Sequence, residues 1–285
     1  MFDTKKHTQR LARAKAGYDE RAEVLVQYAG EELLDRLSAV QRSFQTGVAA
    51  FARTPFLAAA MDQHPQIENV LRLEEAFHVG QTDRVSDLDT LDLQAGSVDL
   101  VLAPFGLHWS NDLPGTLVQI ARTLRPDGLF MAALPGPLTL QELRECLLEA
   151  EAETTGGAAR RIDPFVEVRD AGSLLQHAGL ALPVSDQETL KLRYDGLEGL
   201  IKDLRAFGAT SRLSASAPVI NRKTWERAKK LYRERFSDPD GRVRATFQII
   251  WLSAWSPHES QQKPLKPGSA KQRLADALGT SETKL

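Results

Sequence analysis

Residues 98–131 read VDLVLAPFGLHWSNDLPGTLVQIARTLRPDGLFM. Gly96 and Ser97 turn the chain into Val98, Leu100, Val101 and Leu102, an apolar run of the kind found in strands buried on both faces of a parallel sheet. In the segment that follows, Leu117, Ile120 and Leu124 keep one helical face until Pro126-Asp127-Gly128 stops it. LFMAALPG is then a second short apolar strand. Strand, helix, turn, strand is the βαβ rhythm of a parallel α/β domain. In open sheets of that kind ligands bind beyond the carboxyl ends of the strands. Pro104 to Trp109, including His108, lie at such an end and are expected to overhang the crevice.

Working outward, Phe44–Ala50 and Gln66–Leu73 are weaker strand candidates, and residues 5–40 have helical spacing at Leu33, Leu34 and Leu37. After Leu138 come two helices, LTLQELRECLLEAEAE with Thr139 as its expected N-cap and DAGSLLQHAGL ended by Gly179. LPVSDQETLKLRY alternates like a strand, residues 196–236 are helical with a break at Pro218 and Asn221, and TFQIIWLSAW is a late apolar strand. The organisation expected is an N-terminal helical segment over 1–40, an α/β domain over 41–268 with a helical insertion at about 190–245, and a polar tail over 269–285.

Charge is balanced at net −2 over 285 residues, which argues against nucleic acid as the partner. The single cysteine, Cys146, excludes an internal disulfide and a multi-cysteine metal site, and its helical neighbours Leu143 and Leu147 point to packing. No stretch approaches the roughly 20 apolar residues that span a bilayer, and the first residues lack the apolar core of a secretory signal. A cytoplasmic protein of a reducing compartment is the expectation.

The D-L-V strand, the aromatic LHW loop and the L-x-P-D-G turn resemble class I S-adenosylmethionine-dependent methyltransferases. The C-terminal half narrows the resemblance. Pro164-Phe165, DAGSLLQHAGL and the set Trp255, His258, Glu259, Ser260, Gln261, Lys263, Pro264, Gly268, Ser269 and Ala270 resemble the methyltransferase-like assembly factors of respiratory complex I, regarded as protein-arginine hydroxylases. The malonyl-carrier-protein methyltransferases are a more distant likeness. The resemblance implies a Rossmann-like methyltransferase fold with a mostly parallel seven-stranded sheet. It implies a protein or carrier-protein substrate, or a complex I subunit as partner, and three competing functions: methyl transfer, arginine hydroxylation, or assembly without catalysis.

It also implies S-adenosylmethionine as cofactor, with Asp87 and Leu88 beside the adenine, Pro104 and Trp109 at the crevice, Arg10 on a closing N-terminal helix and His108 as the nearest candidate base. Against this stands SFQTGVAAFARTPFLAAA, residues 43–60. The family places an acid and three glycines there, because glycine lets the backbone approach the cofactor closely. The acidic position falls on Ala49 and the glycine positions on Phe51, Arg53 and Pro55. The acid of the second strand falls near Arg72, with Glu74 two residues on. The expected outcome is a retained fold with impaired cofactor binding.

Each residue also has a plainer reading. His108 and Trp109 cap a core at a strand end, Asp87 caps a helix, and His258-Glu259 packs after the last strand without metal-ligand spacing. No metal site is expected. Helix 221–236 carries seven basic and two acidic residues. It is either a solvated face over a stripe anchored by Trp225 and Tyr232 or a docking surface for an acidic partner through Arg222, Arg227, Lys230 and Arg233.

Overall fold

The computed structural model describes residues 1–215 and 217–262. Two helices, α1 (Thr4–Ala16) and α2 (Val24–Ser38), precede β1 (Phe44–Ala50), α3 (Phe56–Asp62), β2 (Ile67–Glu74), β3 (Arg84–Val85) and β4 (Val98–Pro104). Then follow α4 (Leu113–Thr123), β5 (Leu124–Pro135), α5 (Gln141–Thr155), α6 (Val168–His177) and β6 (Ala181–Tyr194). The chain ends its regular structure with α7 (Leu197–Ala206), α8 (Arg222–Phe236) and β7 (Val243–Trp255). The seven strands form one sheet in the order β3-β2-β1-β4-β5-β7-β6. The first five are parallel, and β7 enters antiparallel between β5 and β6.

Strand alternation divides the core. Val48, Val101 and Phe130 point to the face covered by α4 and α6, where Leu117, Ile120, Ala171 and Leu175 meet them. Ala49, Leu100 and Leu102 point to the other face, under Val26, Leu33 and Leu37 of α2 and Leu57 and Met61 of α3. Fully buried parallel strands account for the unbroken apolar runs in the sequence. A third cluster joins α5, α7 and α8 to the start of β7 through Cys146, Leu200, Tyr232 and Phe247. Of these helices, α7 and α8 lie in an insertion of residues 195–242 between β6 and β7, whereas α5 precedes β6.

Four local expectations differ from the structure. Leu124 and Pro126-Asp127-Gly128 belong to β5, because α4 already ends at Thr123, and the described residues between Ala206 and Arg222 are not helical, so the break is wider than Pro218 and Asn221. The N-terminal helix is broken after Ala16, where Gly17 donates its N–H to Arg13 and a 3₁₀ turn spans Glu20–Glu23. Thr139 does not cap α5. Leu140 precedes that helix in the left-handed region, and the Thr139 hydroxyl donates to the Gln248 carbonyl at 3.0 Å. Lys263, Pro264, Gly268, Ser269, Ala270 and the tail lie outside the described residues.

Candidate functional site

Parallel strands bring their carboxyl ends to one edge. Here that edge collects Phe51–Pro55 after β1, Glu74 at the end of β2, Ser86–Leu88 after β3 and Gly106–Trp109 after β4. Phe51 and Arg53, two of the three expected glycine positions, have φ of 55° and 66°. The chain keeps the left-handed path that glycine permits while carrying side chains there. The Phe51 side chain joins Leu73, Leu88, Leu107 and Trp109 in the core. Gly106 answers it across the crevice: a Cβ there would lie 2.6 Å from the Phe51 Cβ and 2.8 Å from its carbonyl oxygen. Pro55 stands at the N-cap of α3.

Arg53 is buried, with its guanidinium 5.4 Å from the centre of the Phe207 ring. Its backbone N–H donates to Glu74 Oε2 at 2.8 Å, and Arg72 Nε donates to Glu74 Oε1 at 3.0 Å. Glu74 is fully buried, and burial pushes its carboxyl up to about 7 against the lowering pull of Arg72. The acid at the end of the second strand is therefore Glu74, and Arg72 is its partner within the strand. Asp87 lies exposed in a tight turn bridged to Thr90. Leu88 is buried and its carbonyl accepts from the Thr116 hydroxyl at 2.8 Å. The carboxylate that holds the LHW loop is Asp89, which accepts from Ser110 Oγ at 2.6 Å and the Asn111 N–H at 3.1 Å.

His108 and Trp109 share this edge, and Pro104 is buried as the last residue of β4. The Trp109 ring lies between His108, 4.1 Å away centre to centre, and the Arg212 guanidinium, 3.4 Å from its centroid. Burial first, then the nearby Arg212 charge, holds His108 well below the ordinary histidine value. It is neutral at physiological pH, as a proton acceptor must be. Its Nδ1 has no hydrogen-bond partner among the described residues.

The other side of His108 and Trp109 opens on a cavity of about 740 Å³ beneath the insertion. Arg10 of α1, Leu143 of α5, Phe165, Leu204 of α7, Trp225 of α8 and Phe247 of β7 contribute to a mainly apolar wall. Asp163 is the buried carboxylate in it, bonded to Ser211 Oγ at 2.7 Å. A strap closes the crevice above. Phe2 bridges Leu213, the Asp3 N–H donates to Arg212 O at 2.8 Å and Lys6 Nζ donates to Leu213 O at 2.8 Å.

Helix α8 turns part of its charge inward. Arg227 pairs with Glu153, Arg235 with Glu145 and Glu149, and Lys229 with Glu198. Arg227 is therefore committed to α5 rather than offered to a partner. Tyr232 is a buried anchor donating to Arg244 O at 2.7 Å, and Trp225 lines the cavity. No three His, Cys, Asp or Glu side chains converge among the described residues, and no described helix is long and apolar enough to cross a membrane.

The structure thus gathers His108, Trp109, Pro104 and Arg10 around the crevice and cavity, while Asp87 shares their edge of the sheet but is exposed in the turn after β3. Glu74 was named from sequence as the acid two residues beyond Arg72, whereas Asp89, Asp163 and Arg212 were not singled out. The second Asp of VSDLD was the available signal for Asp89. Arg212, in an irregular polar stretch, had none.

Residues 47–132 match the model of a methyltransferase domain. The arginine-hydroxylase NDUFAF5 of human mitochondria is 33% identical over 254 residues, which covers 86% of this chain and 74% of that protein. The zebrafish protein of the same name is 40% identical over 192 residues, covering 67% of this chain, and the match spans 60% of its length. A malonyl-[acyl-carrier protein] O-methyltransferase of Gallionella capsiferriformans is 28% identical, with 90% of this chain and 92% of that one aligned. Those NDUFAF5 proteins are designated mitochondrial, whereas the sequence alone led to the cytoplasm.

Proposed function

The chain belongs to the NDUFAF5 arginine-hydroxylase family, and from that premise we propose that it holds a protein-borne group in the cavity beneath its insertion without using S-adenosylmethionine. The observation that carries this reading is the filled strand edge. A glycine loop serves the family by letting a cofactor come against bare backbone. In this chain the Phe51 side chain and the Arg53 guanidinium are buried at that approach, and Glu74 is already bonded to Arg72 and to the Arg53 N–H. The residues present do not fit the cofactor, and no step is derived through it.

What survives is a preformed, mainly apolar cavity of about 740 Å³ with a few convergent polar groups, within the size range of ligand sites. Neutral His108 and Trp109 form its inner end, and Arg10 and Asp163 supply charge. The occupant we assign is a side chain or acyl group presented by a protein or carrier protein, with a subunit of respiratory complex I as the favoured partner. The outward cations of α8, Arg222, Lys223 and Arg233, would meet acidic groups on that partner. Because Cys146 is the single cysteine, a reducing compartment such as the cytoplasm suits it.

Leu204→Trp should fill the cavity from α7. The full-length variant should lose capture of the complex I subunit while unfolding at the wild-type temperature. Undiminished capture by the filled variant, or capture that requires S-adenosylmethionine, contradicts the reading. A second reading, hydroxylation of a protein arginine, is favoured by Asp163, whose buried carboxylate in the cavity wall suits a guanidinium. Mass spectrometry of the recovered subunit, looking for one added oxygen on arginine, separates the two.

A further inference from the structure

Arg53 and Arg212 come from opposite ends of the chain and meet at Gly208. Arg212 Nη2 donates to the Gly208 carbonyl at 2.6 Å, and a Cβ on Gly208 would stand 2.9 Å from Arg53 Nη1. Arg212 is fully buried and Arg53 nearly so, at 8% exposure. A guanidinium is a five-donor cation that is costly to bury without an anion. Neither of these forms a salt bridge among the described residues: Glu74 is committed to Arg72 and the Arg53 backbone, and Glu75 to His7. Arg212 Nη1 donates to His7 Nδ1, leaving Nε without a partner, and on Arg53 both Nε and Nη1 lack one. Burial lowers both arginines from their ordinary value, Arg212 to about 9. Glu74, its carboxyl raised to about 7, lies near Arg53 with Glu75 and the buried Glu23, and Glu75 and Asp163 lie near Arg212, yet among the described residues none of these carboxylates forms a salt bridge with either guanidinium.

We infer that Arg53 and Arg212 form a buried receptor for a small oxyanion, a carboxylate or phosphate group, where the two guanidiniums meet at Gly208. Unpartnered N–H groups of both guanidiniums supply the donors, and this combination suits an oxyanion with several acceptor positions better than a halide. Arg53 stands at a position where the family places glycine, so the receptor belongs to this chain's departure from the family pattern. The inference goes beyond the function proposed above and fails separately from it. Titration with cofactor tests the one, and titration with simple oxyanions tests the other.

The test uses the full-length protein at constant ionic strength, with sodium acetate or sodium phosphate replacing sodium chloride. Two signals are read: the thermal midpoint, and the fluorescence difference between wild type and Trp109→Phe, since Arg212 stacks on that ring. At about a hundredfold excess over the dissociation constant the midpoint should rise by roughly 5 °C. A rise with acetate assigns a carboxylate, and a rise with phosphate alone assigns a phosphate. The double variant Arg53→Met, Arg212→Met should lose the shift yet unfold in chloride no earlier than wild type, because it removes two buried charges that no carboxylate pairs directly. Wild type indifferent to both oxyanions in both signals overturns the inference, as does an equal shift in the double variant. Should the double variant fail to fold, saturable Trp109 quenching by oxyanion in wild type still supports the inference, and its absence rejects it.

Discussion

Replacing Phe51 separates two opposing contributions at one residue. Its side chain is 2% exposed within the cluster of Leu73, Leu88 and Trp109, so truncation to alanine should cost ~3–5 kcal/mol, as for other buried aromatics. Its φ of 55° is strained for any residue with a Cβ, by ~1–2 kcal/mol. Phe51→Ala keeps that strain, whereas Phe51→Gly loses the same ring and releases it. Glycine then gives back part of the gain because its unfolded chain is freer, by ~0.5–1 kcal/mol. The glycine variant should therefore be less destabilised than the alanine variant, by up to ~1.5 kcal/mol, the reverse of the order in a helix or strand. Urea unfolding of the two variants under identical conditions measures the difference. A glycine variant clearly less stable than the alanine variant refutes the left-handed path at the loop.

Gly106→Ala should destabilise by ~2 kcal/mol or more, since its Cβ would meet the Phe51 Cβ at 2.6 Å. Phe51→Gly in the same chain should recover part of that loss in urea unfolding. The raised value of Glu74, about 7 against 4.5, means that the folded state holds this proton more tightly than the unfolded chain. Its contribution is complete below pH ~4.5 and is lost as pH rises through about 7. Urea midpoints at pH 5 and pH 8 should differ less in Glu74→Gln than in wild type. Arg235→Ala breaks exposed pairs with Glu145 and Glu149, and its thermal midpoint should stay at the wild-type value.

The strands were legible because fully buried parallel strands leave continuous apolar runs, as in Val98–Leu102; Pro126-Asp127-Gly128 misplaced one boundary, because the helix ends at Thr123 and the turn residues lie inside β5, where the register with β4 shifts. The β1 loop was legible in its spacing alone. Counting from Ala49 put the glycine positions on 51 and 53, where the backbone turns left-handed. The break after Ala16 was hidden, since buried residues continue on both sides of it at helical spacing. The error over Thr139 has a similar origin: an N-cap signal names a residue type, while the left-handed Leu140 is imposed by contact with β7. Arg212 was out of reach because its role comes from Trp109 and Arg53, more than a hundred residues away. Asp87 was favoured over Asp89 because type and spacing do not tell which carboxylate faces the loop.

Calorimetric titration of the full-length protein with S-adenosylmethionine and with its demethylated product tests the central claim most directly. With Phe51 and Arg53 buried at the strand edge, neither ligand should give saturable heat, even at millimolar concentration. Saturable binding with a dissociation constant in the low micromolar range would contradict the account, since it would require the crevice to open and the Phe51 side chain to leave the core.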